Sequence, residues 1–269
     1  KTYGEGSSEE LDCIPSRSGG SWLNYSLLEN NYDEEIPVIR YAQTDEFAKQ
    51  AVNDRKKQVY AWFKEYLNDH LNCFDKNLQT FVGYDFARSG DGSDIWVIQQ
   101  NKNLSLSSKF ILGMRNLSIK DQEYLTSLIF DNVPNFNRAA IDATGNGAGL
   151  AEALSEIYGS KIIEQKMNNK WYEENMPPLK SRLEDKELSI PKHADITADF
   201  RLVKIENGIA KIGSTRTKGS DGKMRHGDSV IAAALAVQAS KNQSVEFVYN
   251  SVGNKRSNTG LDEYNRMWG

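Results

Sequence analysis

Phe81-Val82-Gly83-Tyr84-Asp85-Phe86, Ile95-Trp96-Val97-Ile98 and Ser108-Lys109-Phe110-Ile111-Leu112 are three short runs rich in β-branched and aromatic residues, separated by Gly, Ser, Asp and Asn. That pattern is the mark of consecutive antiparallel strands. Toward the C-terminus the period changes: residues 118–130 read as a helix capped by Ser118, Arg138 to Asp142 as a buried strand, and Leu150, Ala153, Leu154 and Ile157 as the i, i+3, i+4, i+7 face of another helix. Lys161 to Gln165 reads as a further short strand. The charged, Pro-interrupted stretch from about 170 to 192 is expected to be helical between Pro178 and Leu188. Leu202 to Glu206 and Ile209 to Ile212 flank Asn207-Gly208, a hairpin turn signal. Residues 213–227 are rich in Gly, Ser, Thr and Lys, and Asp228 to Ala239 reads as a helix whose Ala232, Ala233, Ala234 and Ala236 permit close packing on a sheet.

Three antiparallel strands, then α-β-α, then a late helix carrying an acid match the ribonuclease H-like architecture: α/β, a mixed sheet with three antiparallel strands followed by parallel ones, helices on both faces, and here a β-hairpin insertion. On the N-terminal side, Phe47, Val52, Val59, Trp62, Phe63, Tyr66 and Leu67 recur partly at helical spacing, so an amphipathic helix is expected over about 44–72 with Thr44 as its N-cap. Trp62, Phe63 and Tyr66 read as packing residues. Residues 1 to about 35 mix Gly, Ser and acids, a composition of linker or surface loop. The expected division is a linker and helical extension over 1–78, the ribonuclease H-like domain over 79–242, and a polar tail over 243–269.

With 269 residues and 39% apolar content the chain can bury a full core. Its formal charge of −4 argues against holding nucleic acid by global charge, while leaving room for a local basic strip. Cys13 and Cys73 fit no metal-ligand or disulfide framework, which points to a reducing, cytosolic setting. No apolar stretch approaches the roughly 20 residues of a membrane span. The start at Lys1-Thr2-Tyr3-Gly4 carries neither initiator Met nor signal pattern, and is expected to belong to a longer chain.

Asp85 ends the first strand, Asp142 ends the fourth and Asp228 opens the last helix. In a ribonuclease H-like sheet those slots converge on one patch, and clustered carboxylates persist only where a cation or protons neutralise them. An all-oxygen set suits Mg²⁺ or Mn²⁺, and two such ions about 4 Å apart can activate water and stabilise the leaving oxygen of a phosphodiester. Asp85 is expected to bridge the ions, with Asp142 and Asp228 holding one each. Asp91 and Asp94, in Gly90-Asp91-Gly92-Ser93-Asp94, are lesser metal candidates, since the segment also reads as an ordinary loop. Asp228 alone reads equally as an N-cap.

Gly145, Gly147 and Gly149 follow a strand, but no Walker A loop is present: Gly222-Lys223 is followed by Met224 and the leading position is Thr217. Lys211, Arg216, Lys218, Lys223 and Arg225, with Arg201 and Lys204 before them, form a basic run suited to phosphate contacts that read no sequence. A solvated hairpin explains the same charges equally well. His226 reads as a turn residue.

Gly83-Tyr84-Asp85-Phe86-Ala87-Arg88-Ser89-Gly90-Asp91 resembles the first nuclease motif of phage large terminase subunits, Ile141-Asp142-Ala143-Thr144-Gly145-Asn146-Gly147-Ala148-Gly149-Leu150 the second, and Arg225-His226-Gly227-Asp228-Ser229-Val230-Ile231-Ala232 the third. The likeness covers about 80–240 and is to Mu-like phages and prophages in particular. Glu10-Leu11-Asp12-Cys13 and Gly19-Gly20-Ser21-Trp22-Leu23 are similar to the segment that joins the packaging ATPase to the nuclease. The resemblance implies an endonuclease that cuts double-stranded viral DNA when packaging starts and ends, in the cytoplasm of a bacterial host. It also implies a packaging ATPase domain in the same full-length chain, a small terminase subunit and a portal as partners. Three other readings stay open: a RuvC-like junction resolvase, an actin- or sugar-kinase-like ATP-binding domain, and a catalytically silent module that docks a motor.

Overall fold

The computed structural model describes residues 21–87, 92–213, 216–220 and 222–241. The entry residues 1–20, the tail from 242 and Asp91 lie outside them.

A six-stranded sheet organises the chain. Its strands are β2 (Val38–Ala42), β3 (Gln79–Asp85), β4 (Ser93–Gln100), β5 (Leu106–Arg115), β6 (Phe136–Asp142) and β7 (Ile162–Gln165), in the order β2-β5-β4-β3-β6-β7. β3, β4 and β5 form the antiparallel meander, and β6 and β7 run parallel to β3. The last five strands of that order are the ribonuclease H-like sheet, as expected from the sequence. β2 adds a sixth, parallel to β5 at the edge.

That sixth strand corrects the reading of the entry segment. Trp22 donates its backbone N–H to Val203 O at 3.1 Å, Leu23 and Leu28 are fully buried, and a short helix α1 (Tyr25–Glu29) is capped by Asn24. β1 (Tyr32–Asp33) pairs with β8 (Ile190–Pro191). Residues 22 to about 35 are therefore packed structure, although the composition of residues 1 to about 35 suggested a linker or loop.

The stretch 44–72 is helical but not continuous. Thr44 caps a four-residue α2 (Asp45–Ala48), α3 (Val52–Trp62) follows a break, and a π turn (Phe63–Leu67) and a 3₁₀ stretch (Asn68–Cys73) end it. Phe47, Arg55, Val59, Phe63 and Leu67 face inward, four residues apart from Arg55 onward, whereas Val52 and Tyr66 are exposed. Tyr66 extends a ring stack, Tyr41 on Trp62 and Trp62 on Tyr66, out to solvent.

On the same face of the sheet as α3 lie α4 (Ile119–Asn132), capped by Ser118, and α5 (Gly147–Tyr158). α5 buries Leu150, Ala151 and Leu154 and leaves Ile157 exposed, one step round from the face expected. The opposite face holds α6 (Asn169–Glu184), α7 (Ala194–Arg201) and α8 (Asp228–Lys241). α6 begins nine residues before the helix expected from Pro178, and contains Pro177 and Pro178. Asn168 caps its start at 2.9 Å from Trp171 N, and Trp171, Asn175, Leu179 and Leu183 bury one face, which outweighs the proline penalty of about 3 kcal/mol. The carbonyls that lose a partner belong to Glu173 and Glu174, which face water.

α8 is buried along nearly its whole length and lies directly on β3. At the crossing a Cβ on Gly83 would collide with Ala232 O and Ala236 N, so glycine on the strand and alanines on the helix set the distance between them. The expected hairpin is present as β9 (Val203–Glu206) and β10 (Ile209–Ile212), with Asn207 at φ 53° and Gly208 at φ 82° as a two-residue turn needs. A second small ribbon, β11 (Thr217–Lys218) and β12 (Met224–Arg225), leads into α8.

Candidate active site

Strand register brings the acids together. Arg40 stands opposite Gly113, Gly113 opposite Asp94, and Asp94 opposite Asp85; Asp142 stands opposite Gln165, one step beyond the Tyr84–Ile141 pair. Side chains alternate along a strand and are shared across neighbours, so Arg40, Asp94, Asp85, Asp142 and Gln165 form one row on the face that α8 covers. Asp228 enters from the first turn of that helix. Asp142 and Asp228 are 7% and 6% exposed, while Asp85 is part-exposed.

Burial, followed by the charges of Asp228, Asp142, Asp94 and Asp199, pushes the Asp85 carboxyl well above the usual carboxylate range. Asp142 is raised by burial and partly restrained by Thr144, whose backbone N–H donates to its Oδ1 at 2.8 Å. One oxygen of Asp142 thus also caps the turn that follows β6. As the side chains stand, no group of three His, Cys, Asp or Glu among the described residues is close enough to hold a metal ion. The fit to a hard divalent cation lies in the donor chemistry: oxygen ligands only, with a negative surplus centred on Asp85.

Behind this patch lies a buried ion network that sequence reasoning missed. Arg225 is 3% exposed; its Nη2 meets Asp94 Oδ2 at 2.8 Å and Asp199 Oδ2 at 2.5 Å. Asp199 Oδ2 also accepts from Ser229 N at 3.2 Å and Ser229 Oγ at 2.6 Å, which ties α7 to the first turn of α8. Asp195 accepts from Ser220 N and Oγ, both at 2.8 Å. Burial works to raise the Asp195 carboxyl, but those bonds and the charges of Arg225 and His193 hold it low. The signal was available: Asp195 and Asp199 are four apart and so share a helix face.

Two expectations fall here. Arg225 is not a surface contact for DNA, because its guanidinium is enclosed by Asp94 and Asp199. Asp94, at 1% exposure and paired with Arg225, is a partner of that arginine and not an open metal ligand. Lys211 pairs with Glu206 at 3.2 Å. Arg216, Lys218 and Lys223 are exposed on or beside the β11–β12 ribbon. Tyr172, near the start of α6, was not singled out; burial and then the charges of Asp85 and Asp142 push its hydroxyl up to about 12, which sets it beside the acids.

Over 240 residues, 88% of the chain, the sequence is 35% identical to "Probable terminase, large subunit gp28" of Escherichia phage Mu, of which it covers 44%. The chain belongs to the phage terminase large-subunit family. It is also 31% identical over 265 residues, 97% of its length, to "Mu-like prophage FluMu protein gp28" of Haemophilus influenzae, covering 52% of that relative. The terminase chain thus spans about half the length of these relatives. No protein-family profile matches it. Similar solved structures include the large terminase nuclease of thermophilic phage G20c, at TM-score 0.48 and 17% identity over 61% of this chain and 84% of that one. The nuclease domain of bacteriophage SPP1 large terminase with bound Mn is similar at TM-score 0.40 and 14% identity, over 62% and 88%. Among the described residues of the terminase chain, no helix is long and apolar enough to cross a membrane.

Proposed function

We propose that the chain is the DNA-cutting part of a viral packaging terminase, a divalent-cation-dependent endonuclease that hydrolyses phosphodiester bonds of double-stranded DNA when packaging starts and ends. The observation that carries this reading is the row in which Asp85 and Asp142 end neighbouring strands under the start of α8, with Asp85 raised by burial and then by the charges around it. Asp85 would be the ligand common to two divalent ions, and Asp142 and Asp228 would hold one each. Two ions, when bound, lower the pKa of water and neutralise the leaving 3′-oxygen. The chain's own work is to aim these oxygens from a rigid sheet and a buried helix. Arg225 pairs with Asp94 and Asp199 behind the patch and so offsets part of the negative charge there.

Arg216, Lys218 and Lys223 supply backbone contacts that carry no base information. A packaging ATPase domain in the same full-length chain, a small terminase subunit and a portal are the proposed partners, and the host cytoplasm the setting. Calorimetric titration with Mn²⁺ tests the site directly: the wild type takes up the ion and Asp85→Asn loses most of that uptake. An unchanged titration in Asp85→Asn refutes the bridging role.

A further inference from the structure

The row that carries Asp85 and Asp142 continues past Asp94 to the edge strand β2, and its far end is cationic. Arg40 lies over Gly113, where any Cβ would collide with the arginine side chain. Its Nη1 stands 3.7 Å from Asp94 Oδ1 and its Nη2 3.9 Å from Asp195 Oδ2, close enough for charge to act and too far for hydrogen bonds. Its side chain is 35% exposed. Arg115, the last residue of β5, borders the same gap. A Cβ added to Gly92 would lie 3.4 Å from Arg115 Nη2 and 3.6 Å from Asp228 Oδ2, both ordinary contact distances, so this arginine and the acid patch meet on either side of Gly92. Arg115 Nη2 also reaches Met224 O at 3.5 Å, on the basic ribbon. Between the two arginines is a cavity of about 120 Å³, with Gly92, Gly113 and Asp94 in its wall.

We propose that this cavity is a phosphate subsite, in which Arg40 and Arg115 together take one backbone phosphate of a DNA strand, flanking the phosphate that cations would hold at Asp85, Asp142 and Asp228. The inference rests on the nuclease reading above. A guanidinium presents paired planar donors that match two phosphate oxygens. Turning Arg40 toward a phosphate leaves Asp94 its pair with Arg225 at 2.8 Å through Oδ2, and leaves Asp195 both Ser220 bonds. Strands lie 4.7–4.9 Å apart, so β2 stands roughly 14 Å from β3 and the subsite serves a flanking phosphate.

The test is duplex binding in EDTA, where no cutting occurs, measured against salt concentration for the wild type, Arg115→Ala, Arg40→Ala and Arg115→Lys. Each alanine variant is expected to weaken binding several-fold on any sequence and to reduce the salt slope by about 1, while Arg115→Lys keeps the slope. If Arg40→Ala does not fold, Arg115→Ala decides alone. A folded Arg115→Ala with the wild-type slope overturns the subsite. Weakened binding by the variants, with no metal-dependent cutting by the wild type, supports the subsite and overturns the nuclease reading. A wild type that binds no duplex, either in EDTA or with Ca²⁺ supplied to the acid patch, overturns both.

Discussion

A carboxylate among carboxylates resists ionisation, and Asp85 is so placed. Burial and four neighbouring aspartates raise its folded-state pKa above the ordinary value of about 3.9, so between those two values the folded chain holds a proton that the unfolded chain gives up. Stability is then present below the unfolded pKa and is lost as pH rises through the folded one. Melting followed in EDTA from about pH 4 toward neutrality should show a falling Tm in the wild type, a flatter profile in Asp85→Asn, and partial recovery on adding Mg²⁺. Identical profiles for the two proteins would show that Asp85 carries no such strain. Arg225 gives the converse case: Arg225→Ala leaves Asp94 and Asp199 buried without their cation, and denaturant melts should record a loss of about 3–5 kcal/mol. A weakening of DNA binding with stability intact would return Arg225 to the surface role that its sequence suggests. The acids were legible because strand ends and a helix start are visible as pattern. The arginine was misassigned because a basic run does not say which member turns inward, and that is decided by Asp94 and Asp199, 131 and 26 residues away.

At the scale of elements, the meander, Ser118, Asn207-Gly208 and the alanine-rich last helix were readable, since each rests on local chemistry. What was not readable depends on partners distant in sequence. β2 is a strand because β5 offers an open edge, and α6 keeps two prolines because its buried face lies against the sheet and the residues whose carbonyls are freed, Glu173 and Glu174, are exposed. The contact of α8 with β3 concentrates this dependence at one atom. Gly83→Ala would drive a methyl group into the backbone of α8 and should cost about 1–3 kcal/mol or more in a denaturant melt; a neutral effect would mean that the helix can shift without penalty. The β11–β12 ribbon makes the opposite prediction. Replacing Arg216, Lys218 and Lys223 together by Ala should leave stability within about 0.5 kcal/mol while lowering the salt slope of duplex binding by up to about 3. An unchanged slope would reduce the ribbon to a solvated surface.

For the whole molecule, a net charge of −4 and the proposed role on DNA are reconciled by segregation. The acids face one patch under α8, the buried Arg225 pairs with Asp94 and Asp199 behind it, and exposed cations stand on the neighbouring ribbon. That layout lets a polyanionic duplex approach an acidic centre, provided that cations fill the centre first. The measurement that tests this most directly is cleavage of supercoiled and linear plasmid by the purified chain with EDTA, Mg²⁺ or Mn²⁺, beside folded Asp85→Ala and Asp228→Ala variants. Nicking and linearisation that require the metal and vanish in both variants are the predicted result; cutting that persists in either variant, or its absence under every metal, would contradict the account.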